Sequence, residues 1–141
     1  MAVDTSPGVP GSQDLAPLAQ VGTEMSAEAQ HRPRVAVTTE RVFAALAGRG
    51  ITLASQHQVL ATTAAASYCA LGVTTESIAI AVCEYPTAQA ARAGRELLDR
   101  RYRKLVPDAE RAVNGTTLVT VANASSHRDV GDRVLETFKS L

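Results

Sequence analysis

Two cysteines that bracket a predicted β-hairpin place the strongest constraint on the fold. Cys69 and Cys83 lie within SYCALGVTTESIAIAVCEY, a segment that predicts two β-strands joined by a short turn. If the turn is centred on Glu76, the cysteines face each other. Facing residues in an antiparallel pair have Cα atoms about 4.5–5.5 Å apart, within the roughly 4.4–6.8 Å that a disulfide tolerates. The spacing predicts a Cys69–Cys83 disulfide and an oxidising compartment, with two buried thiols as the alternative.

The length and composition indicate one small domain with a tail. A hydrophobic content of 45% over 141 residues is too high for a fully disordered chain. The 14 basic and 14 acidic residues balance, so a nucleic-acid partner is not expected. No apolar run reaches the ~20 residues that span a bilayer, and the N-terminus lacks the pattern of a signal peptide. We therefore expect a cytoplasmic protein or one whose signal segment has been removed, and the cysteine pair favours the second.

The N-terminal quarter of the chain predicts a linker. Residues 1–34 combine several glycines with four prolines: Pro7, Pro10, Pro17 and Pro33. This density of helix and strand breakers is typical of a flexible tail, which we expect to be dispensable for folding. Apolar residues also recur there at three- and four-residue steps: Leu15, Leu18, Val21 and Met25. Their spacing is either coincidental or indicates a short helix that forms on a partner's surface.

Residues 35–141 are predicted to form a single domain with three helices and two hairpins. The helices begin near residues 38, 86 and 126, and the strands lie near 51–53, 67–73, 77–85, 111–113 and 116–121. Asn114-Gly115 predicts a type I′ turn in the second hairpin. Residues 54–66 are not assigned. This order predicts an α+β fold, in which three helices pack largely on one face of a mainly antiparallel sheet of four to five strands, a two-layer sandwich.

The sequence contains no arrangement of residues that predicts catalysis. Ser125, Ser126, His127 and Asp129 lie within one helical turn and cannot converge on one substrate atom. The cysteines lack the Cys-x-x-Cys spacing of a redox pair, and the histidines are not spaced with them as zinc ligands. We therefore predict a protein that is not an enzyme and has no cofactor or metal.

One predicted helix contains the most basic stretch of the chain. Residues 92–104 include five arginines and one lysine, together with Glu96 and Asp99. The pattern indicates either a solvated helix face, in which Glu96–Arg100 and Asp99–Arg103 pair, or a helix that contacts phosphate or RNA. Aromatic side chains for base stacking are missing from the basic face, since Tyr102 belongs to the inward apolar stripe. This favours the first interpretation.

The predicted sandwich leaves one face of the sheet open to a partner. Both faces of residues 67–85 are apolar, so the interaction surface includes Ala79 or Ile80, depending on which face is open. The predicted function is a non-enzymatic binding or interaction domain, periplasmic or secreted and tethered by its N-terminal linker. Its partner would be another protein or a second copy, with a small ligand less expected. The alternative is a cytoplasmic accessory or oligomer-forming subunit with reduced cysteines.

Overall fold

The computed structural model describes residues 12–122 and 124–141, with side chains from residue 18 onward. Its helices are α1 (Ser12–Gln30), α2 (Thr39–Gly48), α3 (Ala88–Tyr102) and α4 (Arg128–Lys139). Its strands are β1 (Leu53–Val59), β2 (Tyr68–Thr74), β3 (Ala79–Glu84), β4 (Glu110–Asn114) and β5 (Thr117–Ala122). A 3₁₀ helix (Thr62–Ala64) follows β1, so the segment that the sequence left unassigned contains a strand and this short helix.

The five strands form one sheet in the order β1-β2-β3-β5-β4, and every neighbouring pair is antiparallel. The predicted α+β fold with a mainly antiparallel sheet is therefore confirmed. The β2–β3 hairpin lies inside the sheet, as its two apolar faces indicate. In the β4–β5 hairpin only Gly115 of the turn has a positive φ, 63°. This is the pattern of a type II′ turn rather than the predicted type I′.

Helices pack on both faces of the sheet, which adds a third layer to the predicted two. Side chains alternate between the faces along each strand. Ile80, Val82 and Val119 belong to the cluster that α2 and α4 cover. Cys69, Cys83 and Leu118 point to the opposite face, where they pack with Ala91 and Leu98 of α3. The prediction that the helices lie largely on one face therefore holds for α2 and α4 but not for α3.

Helix α1 occupies part of the segment that the sequence assigned to a linker, and it lies beside strand β1. The side-chain amide of Gln58 donates to the carbonyl of Met25 over 2.7 Å. The backbone N–H of Ala61 donates to the carboxylate of Glu28 over 2.9 Å. Both contacts lie in the C-terminal half of α1. Residues 1–11, the remainder of the predicted tail before α1, lie outside the described residues.

Candidate functional site

The β2–β3 hairpin has the predicted register, and its two cysteines are bonded. Cys69 faces Cys83 across the strand pair, and Tyr68 faces Glu84. The sulfur atoms are 2.09 Å apart and the Cα atoms 4.1 Å apart. Both cysteines are buried beneath α3. The bond therefore links the two strands directly under the helix.

The face beneath α3 is covered at one end only. Beyond the disulfide, the next facing pairs on the same side are Leu71 with Ala81 and Val73 with Ala79. These four side chains are half-buried and belong to neither of the two buried clusters. Small and medium apolar side chains therefore remain partly exposed at the centre of the sheet.

Polar residues on the neighbouring strands border this apolar area. Ser55 and His57 of β1 are exposed and face Val73 and Leu71 in the sheet register. Thr120 of β5 is half-buried and faces Ala81. We call the surface formed by Leu71, Val73, Ala79, Ala81, Ser55, His57 and Thr120 the open half-sheet. Sequence reasoning missed Ser55 and His57 because β1 fell in the unassigned segment.

The structure separates the two positions that the sequence offered for an interaction surface. Ile80 is 0% exposed, in the core between the sheet and the α2–α4 layer. A side chain in that position cannot contact a partner, so Ile80 is excluded as a surface residue. Ala79 points to the opposite face and belongs to the open half-sheet. The predicted interaction surface therefore rests on Ala79.

A buried carboxylate lies on the other face, at the end of β3. Glu84 is 0% exposed and accepts from Arg32 through both oxygens, over 3.0 Å from Nε and 2.7 Å from Nη2. The backbone N–H of Thr39 also donates to Glu84, over 2.8 Å. Arg32 extends the network outward to Glu40, and its guanidinium carbon lies 4.0 Å from the centre of the Tyr68 ring.

This network joins the segment after α1 to the rest of the domain. We call Arg32, Glu40 and Glu84, with the backbone N–H of Thr39, the clamp. Each carboxylate oxygen of Glu84 accepts a hydrogen bond from Arg32, and Oε2 also accepts from the backbone N–H of Thr39. The sequence placed Arg32 in the linker, whereas the structure shows it in contact with the core.

Glu40 of the clamp is expected to make the stability of the fold weakly dependent on pH in the acid range. Hydrogen bonding to Arg32 lowers the pKa of Glu40 from 4.5 to about 2. A group whose pKa is lower in the folded state stabilises the fold above its unfolded pKa and loses that contribution as the pH falls. We therefore expect the melting temperature to fall less steeply between pH 4.5 and 2 in Glu40→Gln than in the wild type.

The matched control for this measurement is Glu136→Gln, which changes an exposed glutamate on α4. It should keep the pH dependence of the wild type. The difference between the variants should be small, because the side chain of Glu40 is 66% exposed. Parallel curves for Glu40→Gln and the wild type would show that the pair with Arg32 contributes nothing.

The described residues contain no group of three or more His, Cys, Asp or Glu side chains arranged to hold a metal ion. None of the described helices combines the length and hydropathy needed to span a membrane. No protein-family model, curated protein or solved structure matches this chain. Within the described residues, the open half-sheet carries four half-buried apolar side chains at its centre.

Proposed function

We propose that this protein is a non-enzymatic interaction domain that associates through its open half-sheet. The observation that carries the proposal is the uneven cover of the sheet, with two helices on one face and α3 over one end of the other. Contiguous apolar side chains left partly exposed in a folded domain usually mark an interaction site. Leu71, Val73, Ala79 and Ala81 form such an area.

The chemistry of this surface suits a protein better than a small molecule. A site for a small ligand is normally concave and lined by polar groups that orient the ligand. The open half-sheet is instead a strand surface with apolar side chains at its centre and Ser55, His57 and Thr120 at its border. An amphipathic helix packed across the strands would cover it as α3 covers the other end.

Helix α1 offers a matching apolar stripe. Leu18, Val21 and Met25 recur at three- and four-residue steps and so share one side of the helix. Met25 is half-buried beside β1, Val21 is 37% exposed and Leu18 is 67% exposed. The exposed fraction rises toward the N-terminus as the helix moves away from the domain. We take α1 of a second copy as the occupant of the open half-sheet.

The short connection after α1 favours a second copy over the same chain. Only His31 separates the end of α1 from Arg32, which the clamp holds on the opposite face of the sheet. While Arg32 stays bonded to Glu84, this connection is too short for α1 to reach the open half-sheet of its own chain, which lies on the other face of the sheet. Two copies that exchange their α1 helices would form a closed twofold dimer.

The contact area of such a dimer is limited to the part of α1 that does not pack on its own β1. The N-terminal half of the helix, residues 12–21, is about 15 Å long and about 10 Å wide. Two reciprocal contacts of this footprint, counted on both surfaces, remove about 600 Å² from water, below the roughly 1,000 Å² of most specific interfaces. The proposed dimer is therefore a weak one that forms at high protein concentration.

The disulfide supports an extracytoplasmic location for this proposed domain. Disulfides persist in secreted and periplasmic proteins and are rare where thiols are kept reduced. The N-terminal segment would then tether the domain. A cytoplasmic accessory subunit with reduced cysteines is the second candidate, and the open half-sheet would serve the same role in it.

A charge placed on either half of the contact tests the proposal. We expect the wild type to sediment as a dimer at high protein concentration, and Ala79→Glu and Leu18→Glu each to weaken the dimer at least about tenfold, because each buries an unpaired carboxylate. Ala44→Glu is the matched control, since Ala44 is exposed on α2, on the other side of the sheet. It should leave the dimer intact.

Thermal unfolding of all four proteins shows whether a variant has lost its fold rather than its contact. Combining Ala79→Glu with Leu18→Glu should weaken the dimer less than the product of the single effects, since both disrupt the same contact. A wild type that stays monomeric at high protein concentration, or an equal loss in Ala44→Glu, would contradict the proposed self-association.

A further inference from the structure

The outward side of α3 carries a patch of unpaired cations. Five basic side chains on or next to this helix are exposed and form no hydrogen bond or ion pair with any described residue: Arg92, Arg95, Arg100, Arg103 and Lys104. Arg92 and Arg103 are eleven residues apart, so the patch extends over about 16 Å. We call these five residues the basic patch.

The acidic residues that were expected to neutralise this helix do so only in part. Asp99 accepts from Arg111 of β4 over 2.6 Å, so the predicted Asp99–Arg103 pair is absent. The predicted Glu96–Arg100 pair is not formed either, although Glu96 is exposed on the same side of the helix. Five positive charges therefore face solvent with the carboxylate of Glu96 among them, while the carboxylate of Asp99, whose side chain is 45% exposed, is paired with Arg111. The formal net charge of the whole chain is zero.

A large apolar side chain is exposed directly after the basic patch. Leu105 is 77% exposed, more than Leu18 or Val21, the other exposed large hydrophobic residues of the described part. It follows Lys104 in the loop after α3. An exposed leucine beside several cations is the combination that peripheral membrane proteins use, since the cations meet anionic headgroups and the apolar group enters the interface.

We infer that the basic patch and Leu105 bind the surface of an anionic lipid bilayer. Charge complementarity supports this partner, because each Lys or Arg near an anionic membrane strengthens binding about fivefold. Nucleic acid fits less well: Tyr102 is half-buried in the cluster beneath α3 and cannot stack on a base. An acidic protein would use the cations but would not need an exposed Leu105.

Vesicle binding by the full chain tests this inference. We expect the wild type to co-sediment with vesicles of phosphatidylglycerol mixed with phosphatidylcholine, and not with phosphatidylcholine alone. The triple variant Arg100→Gln, Arg103→Gln, Lys104→Gln should bind about 100-fold more weakly, at about fivefold per charge. Leu105→Ser should also weaken binding several-fold, because it removes the apolar contact.

The matched control removes three exposed cations from other parts of the surface: Arg34→Gln, Arg49→Gln and Lys139→Gln. It lowers the net charge by the same amount and should bind within about twofold of the wild type if the patch, rather than the total charge, is responsible. Similar melting temperatures for both triple variants would show that the fold is unchanged. None of these positions belongs to the open half-sheet or to the apolar stripe of α1. The variants should therefore leave dimerisation unchanged, and the two proposals can be tested independently.

Three results would overturn the inference. The first is no binding of the wild type to the anionic vesicles at low salt, and the second is an equal loss in the two triple variants. The third is retention of the wild type on immobilised heparin without binding to vesicles. That outcome would assign the basic patch to an acidic macromolecule instead of a lipid surface.

Discussion

Replacing Arg32 by Ala is expected to lower the free energy of unfolding by about 3–5 kcal/mol, because a buried charge loses its partner. Glu84 is 0% exposed, and Arg32 donates to both of its oxygens. Of the hydrogen bonds that the described residues make to this carboxylate, the one from the backbone N–H of Thr39 is then left. The stacking of the guanidinium on the ring of Tyr68 is lost as well.

The matched control for this measurement is Arg34→Ala, which removes an exposed arginine two residues further along the chain. A surface change of this kind usually alters stability by less than about 0.5 kcal/mol. Adding Glu84→Gln to Arg32→Ala should recover part of the loss, since the buried charge is then removed. Denaturant titration gives the free energies, and equal values for Arg32→Ala and Arg34→Ala would contradict the role assigned to the clamp.

The same clamp changes where the folded domain begins. The sequence predicts that a truncated chain starting near Arg34 melts cooperatively without loss, because residues 1–34 look like a linker. Such a truncated chain lacks Arg32 and should show the loss expected for Arg32→Ala. A chain truncated to start at His31 retains the clamp and is the appropriate comparison. The domain boundary at residue 34 therefore stays a prediction. The side chain of Arg32, which precedes this boundary, is bonded to the buried Glu84.

Local sequence signals predicted the hairpins because strand register depends on the turn between the strands. Centring the first turn on Glu76 places Cys69 opposite Cys83, and this pair is present. The same register aligns Tyr68 with Glu84. The sequence also predicts a helix that begins near residue 38, and the hydroxyl of Thr38 accepts from the N–H of Arg41 over 3.0 Å. These features depend on residues a few positions apart.

Features that depend on distant residues could not be found in this way. Arg32 and Glu84 are separated by 52 positions, and neither has a local pattern that selects the other. Strand β1 lacks the apolar alternation of a half-buried strand because residues 54–57 are exposed at the edge of the sheet. Helix α3 lies on the face of the sheet opposite to α2 and α4 because its apolar side packs on the cluster around the disulfide. The helical periodicity of the sequence shows that α3 has an apolar side but does not show which face of the sheet it covers.

The second large effect concerns the disulfide, which we expect to contribute about 3 kcal/mol to stability. The bond closes a loop with a sequence separation of 14. Closing a loop of this length lowers the conformational entropy of the unfolded chain and so stabilises the folded state by about that free energy. The contribution matters here because the cluster between α3 and the sheet contains several small side chains, including Ala61, Ala64 and Ala91. Intact mass with alkylation, before and after reduction, shows whether the purified protein is oxidised.

Two comparisons separate the cross-link from the packing of the sulfur atoms. Reduced wild type keeps both side chains in place, so its difference from the oxidised protein in denaturant titration measures the cross-link alone. Cys69→Ala with Cys83→Ala also removes the buried sulfurs and should therefore be less stable than the reduced wild type. Alkylation of both cysteines without prior reduction would contradict the bond. Equal stability of the oxidised and reduced proteins would instead show that the hairpin is held by its strands and by α3, with no contribution from the link.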